Sequence, residues 1–148
     1  MKKNKILFVD DDPKILTVIA SVLEHRGYHV TTASGGEAAI DALCMKDFDL
    51  VITDLNMPEI DGIAVVKKAK ELNRDRGVMI LTGSHDAALI TEALRVGADD
   101  YVLKPCKMTE LWRRVDNCLE RSEVRRKEVS SWHQISESPF TETATTWT

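Results

Sequence analysis

The sequence predicts a doubly wound α/β fold: a five-stranded parallel sheet in the order 2-1-3-4-5, with helices on both faces. Three observations predict it. Short apolar runs alternate five times with stretches of helical periodicity along the 148 residues, and such alternation gives parallel strands joined by crossover helices. The first, third and fourth runs, KILFV, LVIT and GVMILT, are almost wholly apolar, as strands covered on both faces must be. The second, HVTTA, is more polar and suits a sheet edge. An edge position for strand 2 puts the topological switch point between strands 1 and 3, where folds of this kind bind their ligands.

Each element has a local cause. Lys5–Val9 is the first strand, and Asp10-Asp11-Asp12 ends it. Pro13 opens a helix that Asp12 can cap, with apolar positions at 15, 16, 19, 22 and 23. Gly27 closes it in the C′ place. His29–Ala33 is the second strand. Ser34 and Glu37 form an S-x-x-E capping box for a helix through about Met45. Leu50–Thr53 is the third strand, ending abruptly at the carboxylate of Asp54; the loop-formers Pro58, Asp61 and Gly62 follow. Gly62 to Leu72 reads as helix, with Ile63, Val66 and Ala69 inward and Leu72 a fourth candidate. Gly77–Thr82 is the fourth strand, Ala87–Val96 a helix stopped by Gly97, and Asp100–Leu103 the fifth strand, ended by Lys104-Pro105. A last helix starts at Met108 with Leu111, Val115, Cys118 and Leu119 on one face.

The tail differs. From Ser130 to Thr148, nine of nineteen residues are Ser or Thr, a composition that cannot bury a core and reads as disordered or linker. The KEVSSW segment at its start can continue the last helix. Trp132, Phe140 and Trp147 are large for a linker and could dock on a partner or pack back on the domain. No apolar run approaches the roughly 18 residues of a membrane span, and Ile6–Val9 is too short for a signal-peptide core, so a cytoplasmic location without membrane contact is expected. The three scattered cysteines, Cys44, Cys106 and Cys118, do not suit a disulfide framework or a zinc site. A net charge of −4 gives no support for direct nucleic-acid binding. Arg113, Arg114 and the run from Arg121 to Lys127 read as a solvated helix face, not a recognition helix.

The chemistry gathers at one rim of the sheet. Strand 1 delivers Asp10 and Asp11, strand 3 Asp54, strand 4 Thr82 and strand 5 Lys104. Asp12 serves better as a helix cap than as a ligand. Crowded carboxylates repel one another unless a cation lies among them, and oxygen ligands on short side chains suit Mg²⁺. A cation, a free carboxylate oxygen, a lysine and a hydroxyl together suit phosphoryl transfer to Asp54. The Lys104-Pro105 bond can be cis, which would turn the lysine into the crevice.

These residues carry a resemblance. The pair Asp10-Asp11, Asp54 within D-x-x-M-P-x-x-D-G, Thr82, Tyr101 and Lys104-Pro105 resemble the receiver domain of two-component response regulators. The resemblance covers residues 4–122 and leaves 123–148 as a helical extension and Ser/Thr-rich tail. It implies a flavodoxin-like (βα)₅ fold and phosphorylation of Asp54 by the phosphohistidine of a sensor histidine kinase or phosphotransfer protein. It also implies Mg²⁺ held by Asp11, Asp54 and the backbone carbonyl of Asn56, with Asp10 assisting. Lys104 and Thr82 would serve the phosphoryl group, and Thr82 and Tyr101 would move together as the switch of the helix 4–strand 5–helix 5 surface. Such a domain catalyses only its own phosphorylation and dephosphorylation. Cys106 departs from the pattern, which commonly has an aromatic there; packing and a redox role are both open to it. A single-domain regulator acting by protein contact is expected, with a fragment of a longer protein as the alternative.

A second class is a phosphatase of the haloacid-dehalogenase type, with Asp10 as nucleophile and Asp12 as general acid. Phe8 to Asp12 contains its D-x-D, yet Pro13 stands where that family has Thr or Val, and M-P-x-x-D-G is left unexplained. Helix 1 carries two apolar stripes, Leu16, Ile19, Leu23 and Ile15, Val18, Val22. Either both are buried, or Ile15 and Val18 form an exposed patch that seats the kinase helix, a surface similar domains use for that purpose.

Overall fold

The computed structural model describes residues 4–136. Five strands, β1 (Lys5–Val9), β2 (His29–Ala33), β3 (Leu50–Thr53), β4 (Gly77–Thr82) and β5 (Asp100–Leu103), alternate with five helices, α1 (Pro13–His25), α2 (Gly36–Met45), α3 (Gly62–Leu72), α4 (Ala87–Arg95) and α5 (Met108–Ser136). The strands are all parallel and lie in the order β2-β1-β3-β4-β5. Polar β2 is at an edge, as its composition requires.

Successive side chains on a strand point to opposite faces, and here both faces are covered. Leu7, Val9, Val51, Val78 and Ile80 pack with α2, α3 and α4 through Ala39, Leu43, Val65, Val66, Ala69 and Ala93. Ile6, Phe8, Ile52, Met79 and Leu81 pack with α1 and α5 through Ile19, Leu23, Leu111 and Val115. Each fully buried side chain of this kind contributes about 1.5–3 kcal/mol. Phe48, Leu55 and Met57, outside the elements, are also buried, and they fasten both ends of β3 to the α2–α4 side.

The structure departs from the sequence reading in several places. Ser34 does not cap α2: Gly35 occupies the N-cap position and no side chain bonds there. The cause is tertiary. A Cβ on Gly36 would stand 2.5 Å from the Ile60 carbonyl, so the helix start is pressed against the β3–α3 loop, one residue later than expected. Leu72 is exposed, and Val65 takes the inward place beside Val66. α4 stops at Arg95, with Val96 as its cap residue.

The basic run of α5 is only partly solvated. Arg125 donates to the carbonyl of Asp75 at 3.1 Å and pairs with Asp99 at 3.3 Å, and Arg126 pairs with Asp49 at 3.1 Å. Ser122 donates to the Asp75 carbonyl at 2.6 Å. These bonds tie α5 to the rim where β3 and β4 begin. Held there, the helix continues through Ser136, past the expected start of the tail at Ser130, because extending an existing helix costs little. The remainder of the expected tail, with Phe140 and Trp147, lies outside the described residues.

Asp99 is the hub of this lower rim. It accepts from the Val78 amide at 2.8 Å and the Lys70 ammonium at 3.2 Å, besides pairing with Arg125. Burial lowers the pKa of Lys70, and Asp99 opposes that shift. Asp99→Ala removes the carboxylate from a half-buried ammonium, which keeps the Arg76 carbonyl at 2.6 Å, and from a strand amide at once. It is expected to cost about 3 kcal/mol, measured as a fall in the urea midpoint at unchanged m-value.

Candidate functional site at the carboxyl rim of the sheet

Backbone pairing places the acidic groups. Asp10 directly follows β1, and its amide bonds the Ala33 carbonyl of β2 at 3.2 Å. Asp54 directly follows β3, and its amide bonds the Val9 carbonyl of β1 at 3.1 Å. The two side chains therefore leave neighbouring strands at the same level. Asp10 is 1% exposed and Asp54 8%, while Asp11, one residue further along the loop, is exposed. One carboxylate oxygen from each of the three lies within 4.8 Å of the others.

Lys104 reaches them from β5. Its amide bonds the Thr82 carbonyl of β4 at 2.8 Å, and its peptide bond to Pro105 is cis. Its side chain passes the end of β4, over about 10 Å of sheet. The ammonium donates to Asp54 Oδ2 at 3.0 Å and to Asp10 Oδ2. Burial pushes the lysine pKa down, but the hydrogen bonds and charges of Asp10 and Asp54 outweigh it, and the net direction is upward. Lys104 is thus cationic at neutral pH.

The other carboxylate oxygens are held by backbone. Asp54 Oδ1 accepts from the amides of Leu55 at 2.7 Å and Asn56 at 3.3 Å. Asp10 Oδ1 accepts from the Asp12 amide at 2.9 Å. The Asp12 side chain accepts from the Lys14 amide and caps α1. That leaves it turned to the helix instead of serving as the general acid of a phosphatase.

Thr82 is fully buried at the end of β4, and its hydroxyl accepts from the Ser84 amide at 3.2 Å. Tyr101 is 40% exposed on β5, opposite Ile80 of β4. Asn56 is exposed at the loop. Asp10, Asp11, Asp54 and Lys104 therefore form one contiguous charged group. Of the other three expected residues, Asn56 bonds the Asp54 carboxylate through its backbone amide, while Thr82 ends β4 and Tyr101 lies within β5.

Beside the rim is an apolar groove of about 480 Å³ between α1 and the β5–α5 loop, lined by Ile15, Val18, Ile19, Pro105, Cys106 and Met108. Helix 1 resolves its two stripes here. Ile19 and Leu23 are buried, Ile15 and Leu16 are half-buried, and Val18 is 57% exposed. Burial raises the pKa of the Cys106 thiol, with Glu110 adding to the shift. That leaves the thiol protonated and favours the packing role.

Gly62 opens α3, as expected, and it also meets the site. A Cβ there would stand 2.0 Å from the Asp54 carbonyl oxygen, so the start of α3 lies directly on the peptide that follows the site carboxylate. A Gly closing a strand-to-helix loop is the signal that could have found it.

Residues 6–116 match the family model described as the response regulator receiver domain. The chain is 36% identical over 119 residues to the transcriptional regulatory protein ZraR of Escherichia coli O157:H7, covering 80% of this chain and 27% of that protein. It is 38% identical over 116 residues to the response regulator SaeR of Staphylococcus aureus (strain USA300), covering 78% of this chain and 50% of that one. The chain thus spans half or less of these curated relatives. Among solved structures it resembles a CheY-like receiver domain protein from Methanospirillum hungatei JF-1. That likeness has a TM-score of 0.81 at 27% identity over 84% of this chain and 99% of that one. None of these matches supports the haloacid-dehalogenase reading. With the strand order, the acidic rim and the family match in agreement, the chain belongs to the receiver domains of two-component response regulators.

Proposed function

We propose that residues 4–122 act as a phosphorylation switch with Asp54 as the acceptor, and that 123–148 are an extension of it. The observation that carries this reading is the Lys104 ammonium bonded to both Asp54 and Asp10 at the rim. A carboxylate oxygen of Asp54 forms a bond to phosphorus as the bond from phosphorus to the donor breaks. The donor, the phosphohistidine of a sensor kinase or phosphotransfer protein, leaves with the electron pair. Lys104 offers its charge to a phosphoryl oxygen, and Thr82 its hydroxyl.

Three carboxylate oxygens within 4.8 Å, with no nitrogen or sulfur donor among them, suit Mg²⁺. Asp10, Asp11 and Asp54 would hold it, together with the Asn56 carbonyl that the family resemblance implies. When bound, the ion would neutralise charge on the phosphoryl group and the carboxylates. Phosphorylation adds about −1.5 to −2 charges and three acceptor oxygens beside Thr82. Thr82 turning toward them would free space for the exposed Tyr101 ring. That would shift the surface of α4, β5 and α5, the element whose two states the phosphoryl group biases. Catalysis is limited to the domain's own phosphorylation and dephosphorylation. No described helix is long and apolar enough to cross a membrane, and we place the switch in the cytoplasm without direct nucleic-acid contact. Any output beyond protein contact would come from a further segment like those of the longer relatives.

Incubation with Mg²⁺ and acetyl phosphate is expected to add one phosphoryl group, located on Asp54 by peptide mass spectrometry and abolished by Asp54→Asn or by EDTA. Full labelling of Asp54→Asn, with none of Asp10→Asn, would reverse the assignment.

The exposed Val18 and the groove beside it fit a helix carrying the donor histidine. Val18→Ser is expected to slow phosphotransfer from a kinase that phosphorylates the wild type, with acetyl phosphate labelling unchanged and stability altered by less than about 0.5 kcal/mol. Equal loss with both donors would show that Val18 serves the fold instead.

A further inference from the structure

Two groups meet at the carbonyl oxygen of Asp54, the Thr53 hydroxyl and the backbone of Gly62. Asp54 lies just past the end of β3, and among the described residues no backbone amide donates to this oxygen. The hydroxyl of Thr53 donates to it instead, at 2.9 Å, from a residue that is fully buried. Gly62 lies against the same oxygen, since a Cβ there would stand 2.0 Å from it and 2.8 Å from Leu55 Cα. The Gly62 amide also donates to the Leu55 carbonyl at 3.0 Å, and Asp61 caps α3 by accepting from Ala64 at 3.1 Å. The first turn of α3 is thereby fixed against this peptide.

The oxygen belongs to the same peptide plane as the Leu55 amide, and that amide donates to Asp54 Oδ1 at 2.7 Å. A peptide unit is planar, with its oxygen and its N–H pointing in opposite directions. Turning the oxygen must therefore turn the N–H that orients the carboxylate. Resting on the reading of Asp54 as phospho-acceptor, we propose that Thr53 is a positioning residue for it. Its buried hydroxyl, with Gly62 against the same oxygen, sets the angle of the Asp54–Leu55 peptide and so the direction of the carboxylate. Thr53 is fully buried, and its hydroxyl acts through the peptide. A valine would have nearly the same shape, so the hydroxyl, not the volume, is what this role requires.

The test compares the ¹⁵N-labelled wild-type chain with Thr53→Ser and Thr53→Val. Two quantities are read: the Leu55 amide proton shift in metal-free protein without phosphodonor, and the rate of acetyl phosphate labelling in Mg²⁺. Thr53→Ser keeps the hydroxyl and is expected to retain the Leu55 shift and to label within about twofold of wild type. Thr53→Val is expected to move the Leu55 amide upfield and to label about tenfold more slowly, the scale of loss that sub-ångström misplacement brings. Thr53→Val matching wild type in both readouts would overturn the proposal. So would Thr53→Ser falling as far as Thr53→Val, since packing and not the hydroxyl would then be responsible. Absence of label in the wild type, or its survival in Asp54→Asn, would instead defeat the acceptor reading; the Leu55 shift would still report Thr53's hold on the carboxylate.

Discussion

A single ammonium lies between two carboxylates that the sheet has taken out of water. Asp10 and Asp54 are nearly buried, and each accepts from Lys104. Two buried carboxylates on adjacent strands repel each other strongly without a cation between them. The lysine removes that conflict, and the strand order lets it: β5 lies two places from β3, and Lys104 stands at the carboxyl end of β5. Asp11 remains exposed beside this pair.

The rim is poised by rigid elements behind it. Strands β1, β3 and β4 are buried on both faces. Their carboxyl ends are therefore fixed points, and a catalytic group on such an end is placed more sharply than one on a free loop. Local backbone completes the job. The amides of Leu55, Asn56 and Asp12 satisfy the carboxylate oxygens that Lys104 does not reach. The lower rim is organised in the opposite sense, with Asp99 collecting Lys70, Arg125 and a strand amide. It holds α5 across the sheet.

Much of this was legible in the order of residues. All five strands agree with the reading residue for residue, because short runs of strand-forming residues bounded by turn or charged residues have few alternatives. Once the strand order was inferred from the polarity of β2, the carboxylates after β1 and β3 had to be neighbours. Asp10, Asp11, Asp54 and Lys104 followed as a group, since each stands at the same end of its strand.

What tertiary structure alone decided concerns contacts between distant segments. Ser34 and Glu37 have the spacing of a capping box, yet the β3–α3 loop presses on Gly36 and the helix begins at a later residue. Val18 and Leu23 are both apolar on one helix; which is exposed depends on how α1 lies on the sheet and against α5. Arg125 and Arg126 look like solvent-facing charges until Asp75, Asp99 and Asp49 are brought beneath them. Gly62 reads as a turn residue until α3 is laid on the peptide after Asp54. The sequence by itself determined the period, the strand ends and the chemical kind of each rim residue, because these depend on near neighbours. Exposure, capping and close backbone approach depend on surfaces that meet only when the chain is folded.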